Sequence, residues 1–140
     1  MAVEEPIPPW RVLVVDDNPL IRDSVVFAVQ RLNERIKPGG RTLRLYEAED
    51  GATAWDRIVD KKIDLAITDL YMPVLTGLRL IARIRETPQT AAMKILAVSA
   101  SIEDARIVSL GAGADLFLQK PIRLVDVMDA VTSLLKLDLK

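Results

Sequence analysis

The sequence predicts an α/β fold, a doubly wound (βα)5 sandwich in which a five-stranded parallel sheet is covered by helices on both faces. Three observations carry this. Five short runs rich in Val, Ile and Leu alternate with five stretches of helical periodicity. Four of the five runs are continuously apolar rather than alternating, which marks strands covered on both sides. The connections are short, so consecutive strands are joined through right-handed helical crossovers. A chain of 140 residues is one ordinary domain on the usual scale of about 100–200 residues.

Residues 1–9 hold three of the eight prolines, which lack the N–H for helix or ladder. They are expected to form a disordered N-terminal arm ahead of a domain at 10–140. The apolar runs lie at 11–15, 43–46, 63–68, 94–98 and 116–119. The second, Leu43-Arg44-Leu45-Tyr46, alternates and reads as an edge strand with one wetter face. The first helix is expected over 19–36. Ile21, Val25, Ala28, Val29, Leu32 and Ile36 form its apolar stripe, and Arg22, Asp23, Arg31, Glu34 and Arg35 form a solvated face. Pro19 suits its first turn, and Lys37-Pro38-Gly39-Gly40 ends it. The second helix covers 51–60. The third starts near Thr76-Gly77 and stops at Thr87-Pro88. The fourth opens at Ser101, with Asp104 completing a capping box, and ends at Gly111 or Gly113. The fifth runs over 123–137, with Leu124, Met128, Val131 and Leu135 on one stripe.

Composition narrows the chemistry. There is no Cys and no His, which excludes disulfides, thiolate chemistry, imidazole catalysis and His-ligated metals. Nineteen Lys and Arg against twenty Asp and Glu leave a net charge of −1, with no basic excess for nucleic acid and no basic run for a membrane surface. The longest uncharged stretch, 70–78, is far short of the roughly 20 residues that span a bilayer. The acidic N-terminus lacks the apolar core of a signal peptide, so a cytoplasmic location is expected. The available tools are carboxylates, Lys, hydroxyls and backbone groups.

In doubly wound sheets the ligand site lies beyond the carboxyl ends of the strands. The residues there are Asp16-Asp17, Asp69, Ser99-Ala100 and Lys120-Pro121. Glu47, Glu49 and Asp50, after the second run, read as solvated and capping residues. Two carboxylates 5 Å apart repel by roughly 3 kcal/mol at an effective dielectric near 20. Three of them need a proton or a cation, and Lys120 alone leaves a deficit. A hard divalent ion such as Mg2+ fits that deficit. Mg2+ in turn invites a phosphoryl group, which Asp69 can attack as a carboxylate nucleophile while Lys120 and the Ser99 hydroxyl hold its oxygens.

With these motifs in place the chain resembles the receiver domain of bacterial two-component response regulators over about residues 10–137. The resemblance rests on Val12-Leu13-Val14-Val15-Asp16-Asp17-Asn18-Pro19, on Thr68-Asp69-Leu70-Tyr71-Met72-Pro73-Val74-Leu75-Thr76-Gly77-Leu78, on Ala97-Val98-Ser99-Ala100 and on Phe117-Leu118-Gln119-Lys120-Pro121. It implies the flavodoxin-like strand order 2-1-3-4-5 and a set of roles. Asp69 is the phosphoacceptor. Asp16, Asp17, Asp69 and the backbone carbonyl of Tyr71 hold Mg2+. Ser99, Lys120 and the backbone N–H of Ala100 bind the phosphoryl group, and Ser99 with Phe117 forms the switch. The Lys120–Pro121 peptide is expected to be cis.

The resemblance also implies a sensor histidine kinase or His-phosphotransfer protein as donor. A downstream protein is expected on the face of the fourth helix, fifth strand and fifth helix, and a homodimer on phosphorylation is a further expected assembly. No nucleic acid or membrane is expected as a partner. The chain would be no enzyme beyond catalysing its own phosphorylation and autodephosphorylation.

Ser99 stands where Thr is commoner, and Phe117 lacks a phenol, so its switching must work by packing. Three alternatives stay open: a Mg2+-dependent phosphatase with an Asp nucleophile, a receiver cut from a larger response regulator or hybrid kinase, and a pseudo-receiver that binds partners without phosphate. The first lacks an acid two residues after Asp16, where Asn18 stands. The last is disfavoured because every chemical position is filled.

Overall fold

The computed structural model describes residues 7–72, 74–100 and 104–140. The elements alternate as β1 (Trp10–Val15), α1 (Pro19–Asn33), β2 (Leu43–Ala48), α2 (Gly51–Lys61), β3 (Leu65–Asp69), α3 (Gly77–Glu86), β4 (Lys94–Ser99), α4 (Ala105–Ala112), β5 (Leu116–Gln119) and α5 (Leu124–Leu135). All strand pairs are parallel, in the order β2-β1-β3-β4-β5.

The two-residue period of a strand divides the core. Val12 and Val14 of β1 pack with Val25, Val29 and Leu32 of α1 and Val127 and Val131 of α5. Leu13 and Val15 point the other way, into a cluster with Ile58 of α2, Leu80, Ile81 and Ile84 of α3 and Ala105 of α4. Helices α1 and α5 therefore cover one face of the sheet, and α2, α3 and α4 the other. Strand β3 is buried throughout, as a central strand covered on both faces should be.

Four element readings from the sequence need correction. β5 is less covered than its apolar run implies: Leu116 and Gln119 are exposed, and Phe117 and Leu118 only half-buried. A short apolar run does not show how fully helices cover its two faces, and β5 lies at the edge of the sheet. Helix α1 stops at Asn33, not at 36. Ile36 keeps the helical spacing but forms an isolated antiparallel bridge to Leu139, and its side chain joins the core on the α1 and α5 face. Helix α4 begins at Ala105, and Asp104, at φ 60°, is its N-cap without a side-chain capping bond among the described residues. The Ser101 half of the expected capping box lies outside those residues. On α5 the buried stripe is Val127, Ala130, Val131 and Leu135, whereas Leu124 is 40% exposed.

The first residues of the chain, 1–6, also lie outside the described residues. Pro8 is tied down by its carbonyl, which accepts from Arg41 Nε at 2.8 Å, and the Arg41 guanidinium stacks 3.5 Å above the Trp10 ring. After α1 the chain reverses through Lys37-Pro38-Gly39-Gly40, where Gly40 N–H donates to the Lys37 carbonyl at 2.8 Å. Gly39 has φ 81°, the left-handed value that the third residue of a type II turn requires, and Pro38 supplies the second.

Arg85, at the end of α3, organises the opposite edge of the sheet. Its guanidinium donates to the carbonyls of Gly113, Ala91 and Met93 and pairs with Asp115 at 2.9 Å. Asp115 also accepts from the Ile95 N–H at 2.7 Å. Replacing Arg85 with Ala leaves three carbonyls and a carboxylate to find other donors. Arg85→Ala is expected to lower stability by about 2–3 kcal/mol, given 1–3 kcal/mol for a stranded polar group, as read from urea unfolding.

Candidate functional site

The register of the sheet assembles the site. Val15 lies opposite Thr68, Asp69 opposite Val98, and Ser99 opposite Gln119. Asp16, one residue beyond β1, and Lys120, one beyond β5, thus reach the same edge as Asp69 and Ser99. Main-chain bonds from Leu70 N–H to the Val98 carbonyl (3.1 Å) and from Lys120 N–H to the Ser99 carbonyl (2.8 Å) hold the strand ends level.

Asp16 and Asp69 are buried and Asp17 is exposed; one oxygen from each lies within 4.8 Å of the others. The Lys120 ammonium bridges the buried pair, 3.0 Å from Asp16 Oδ2 and 3.4 Å from Asp69 Oδ2. Asp16 Oδ1 accepts from the Asn18 N–H at 2.9 Å. Asn18 in turn caps α1 by accepting from the N–H groups of Leu20 and Ile21 at 2.9 and 3.3 Å. The turn that carries the acidic pair and the start of α1 are therefore one hydrogen-bonded unit.

Burial pushes the Asp69 carboxyl above its ordinary value. The Lys120 charge opposes the shift, the Asp16 charge adds to it, and a main-chain hydrogen bond from Tyr71 and one from Lys120 oppose it. Loss of hydration thus outweighs the ammonium. A divalent ion would reverse this balance. Octahedral Mg2+ holds oxygens at about 2.1 Å, so ligands sit roughly 3–4 Å apart, a spacing these three carboxylates can meet. The all-oxygen donor set suits a hard cation.

The neighbours of the acidic cluster are laid out around it. Ser99 is fully buried at the end of β4, and Ala100 is exposed beside it. Phe117 is half-buried against the core that contains α3 and α4. Tyr71 is 53% exposed. The Lys120–Pro121 peptide bond is cis. The loop after Asp69 closes on Gly77, whose N–H donates to the Leu70 carbonyl at 3.0 Å. A Cβ on Gly77 would lie 2.0 Å from the Asp69 carbonyl oxygen, so only glycine allows the start of α3 this close to the site.

Periodicity placed Arg22 on a solvated face. Its side chain is instead only 18% exposed, pairs with Glu47 at 3.3 Å and donates from Nη1 to the Asp16 carbonyl at 2.7 Å. The helical pattern could not reveal this, because the acceptor is a backbone group on the preceding turn.

Comparison with known proteins agrees with this geometry. The response regulator receiver domain model matches residues 12–132. The chain belongs to the response regulator receiver family. Among curated relatives, the response regulator MprA of Mycobacterium sp. (strain KMS) is 32% identical over 128 residues, covering 91% of this chain and 51% of the relative. The response regulator GtcR of Aneurinibacillus migulanus is 31% identical over 126 residues, 89% of this chain and 47% of the relative. This receiver thus spans about half the length of the curated relatives it matches. Among solved structures, the signal receiver domain of the response regulator NarL from Mycobacterium tuberculosis superposes with TM-score 0.78 at 31% identity, covering 93% of this chain and 98% of that one. A response regulator structure from Chloroflexus aurantiacus superposes with TM-score 0.81 at 25% identity, covering 91% of this chain and 98% of that one.

Receivers of two-component systems are signalling domains rather than conventional enzymes, and response regulators interact with histidine kinases or phosphotransfer proteins. Receiver domains bind Mg2+ at an acidic cluster, and here that cluster is Asp16, Asp17 and Asp69. No helix among the described residues is long and apolar enough to cross a membrane.

The raised carboxyl of Asp69 makes a pH prediction for the metal-free protein. The folded state holds this proton more tightly than the unfolded chain does, so between the unfolded value of 3.8 and the raised value stability falls as pH rises. Asp69→Asn removes that penalty. Without metal it is expected to melt above wild type at pH 7, with the gain shrinking as pH falls toward 4. Saturating Mg2+ should narrow the difference by stabilising wild type more. Thermal melts across pH, with and without Mg2+, read both effects.

Proposed function

We propose that this receiver is a phosphorylation-activated switch that accepts a phosphoryl group on Asp69 from a histidine kinase or a His-phosphotransfer protein. The observation that carries the reading is the meeting of Asp16, Asp17 and Asp69 within 4.8 Å, with Lys120 3.0 and 3.4 Å from two of them. In this reading Asp16, Asp17, Asp69 and the Tyr71 carbonyl hold Mg2+, which supplies charge neutralisation at the phosphoryl oxygens. One Asp69 carboxylate oxygen attacks phosphorus as the bond to the donor nitrogen breaks, giving an acyl phosphate. Lys120, the Ser99 hydroxyl and the Ala100 N–H receive the phosphoryl oxygens. Attack needs Asp69 ionised, and the Lys120 ammonium beside it favours that form against burial.

The output face in this reading is α4, β5 and α5. Ile107 (72% exposed), Val108 (45%), Leu110 (37%), Leu116 (36%) and Val125 (49%) make it unusually apolar for a solvated surface. Ser99 and Phe117 lie beneath it. Drawing Ser99 toward a phosphoryl group opens space into which the Phe117 ring can turn, so the surface changes by packing alone. The same face suits a downstream protein or a second phosphorylated copy. On the donor side, α1 exposes Leu20 (76%) and Phe27 (49%), and a groove of about 470 Å3 is lined by Ile21, Ser24, Lys120, Pro121 and Leu124. It offers apolar contact next to the ammonium.

Incubation with acetyl phosphate and Mg2+ is expected to add one phosphoryl group by intact mass. Asp69→Ala should abolish it, and label persisting in that variant would overturn the assignment.

With beryllofluoride as the phosphoryl mimic, NMR shift changes are expected on 105–112, 116–119 and α5. Changes confined to α2 and α3 would place the output elsewhere.

A further inference from the structure

Arg22 is the one charged side chain of the α1 face that turns inward to the acidic edge. Its guanidinium is shared between two acceptors: Nη1 donates to the Asp16 carbonyl at 2.7 Å, and Nε pairs with Glu47 Oε1 at 3.3 Å. Glu47 sits on β2, whose next residue, Ala48, accepts the Asp16 N–H at 3.2 Å. The peptide units on both sides of Asp16 are thus held, one by β2 directly and the other by Arg22 braced on β2.

The second of these units joins Asp16 to Asp17. A peptide is planar, so fixing its carbonyl also fixes the direction of the Asp17 N–H and the position of the Asp17 Cα. Asp16 has further anchors in Asn18 and Lys120. Asp17 is exposed, and its carboxylate makes no hydrogen bond or ion pair among the described residues. We propose that Arg22 is a positioning residue for the metal site, holding the 16–17 peptide so that the exposed Asp17 carboxylate is aimed at the cation. This rests on the reading of Asp16, Asp17 and Asp69 as the Mg2+ site.

Charge and geometry make opposite demands on this residue, which makes the proposal testable. As a bare positive charge near the cluster, Arg22 repels Mg2+, and its removal should tighten binding. As a brace it pre-organises a ligand, and its removal should weaken binding. Partners in the shell behind metal ligands are typically worth 10–100-fold in affinity. The charge effect is set against that here, which points to the lower end.

The experiment is calorimetric titration of the metal-free full chain with MgCl2 for wild type, Arg22→Ala, Arg22→Met and Asp17→Ala. Arg22→Met keeps the apolar stem and so guards against loss of packing. Amide hydrogen exchange at Asp17 is measured in the absence of metal. Both Arg22 variants are expected to bind Mg2+ about tenfold more weakly than wild type and to exchange the Asp17 amide faster, while Val12–Val15 amides keep their protection. Unchanged or tighter binding in Arg22→Met, against a wild type that binds Mg2+, overturns the positioning role alone. A wild type that binds no better than Asp17→Ala overturns the metal site itself and the role of Arg22 with it.

Discussion

Repulsion among three carboxylates at one edge of the sheet is the constraint around which this domain is organised. Asp16 and Asp69 are buried where hydration cannot screen them, and the Lys120 ammonium, 3.0 and 3.4 Å away, is what makes their proximity tolerable. That contact joins residues more than a hundred positions apart. It requires β1, β3 and β5 to end level, and so depends on the order and register of the whole sheet. The Asp69 carboxyl is still raised, because burial pushes it up more than the Lys120 charge pulls it down, so the ammonium does not replace the lost hydration. A buried carboxylate left short of hydration favours whatever brings positive charge, and that is how a cation can be drawn to a surface with a net charge near zero.

The rest of the fold keeps this strained edge from spreading. The two cores on either side of β1, β3 and β4 contain aliphatic side chains in close alternation. The loops at the site are closed by short local bonds rather than by packing. Asn18 caps α1 and binds Asp16, Gly77 brings α3 against the Asp69 carbonyl, and Arg22 reaches back from α1 to the turn. Each ties the start of a helix to the end of the strand before it. Val74 departs from this economy: a β-branched residue at φ 70° and 87% exposed. Such a conformation stores on the order of 1–3 kcal/mol, and it lies within the loop that follows Asp69.

Much of this was legible in the sequence because it is written in local pattern. Continuous apolar runs marked β1, β3 and β4. Pro19 and Asp50 marked helix starts, and the polar residues ending four runs marked the functional edge. What was not legible depends on partners distant in the chain. Ile36 looked helical because its spacing fits α1, but its backbone pairs with Leu139 of the tail. β5 looked covered on both faces because four apolar residues carry no record of how far the helices reach over an edge. Leu124 looked like core because it shares a stripe with Val131, yet α5 is rotated so that Val127 faces the sheet. Arg22 looked solvated because its acceptor is a carbonyl, and carbonyls have no signature in a sequence. The charged positions were found by type, and their second contacts only by geometry.

Signal transfer in the proposed switch is limited by free energy rather than by reach. Ser99 of β4 and Lys120 after β5 are joined through the Ser99 carbonyl, and Phe117 lies three residues before Lys120, on β5, so the mechanical path is short. Moving a two-state equilibrium from 1:99 to 99:1 needs about 5.5 kcal/mol of differential interaction. A charge-assisted hydrogen bond from Ser99 to a phosphoryl oxygen supplies about 1.5–3 kcal/mol, which shifts the population without saturating it. The remainder has to come from Lys120, which exchanges the Asp69 carboxylate for phosphoryl oxygens, and from the partner that binds the altered face. An apolar surface such as Ile107, Val108 and Leu116 is suited to that second contribution. Its burial by a partner gains free energy only in the conformation that presents it, so the partner completes the transition that the phosphoryl group begins.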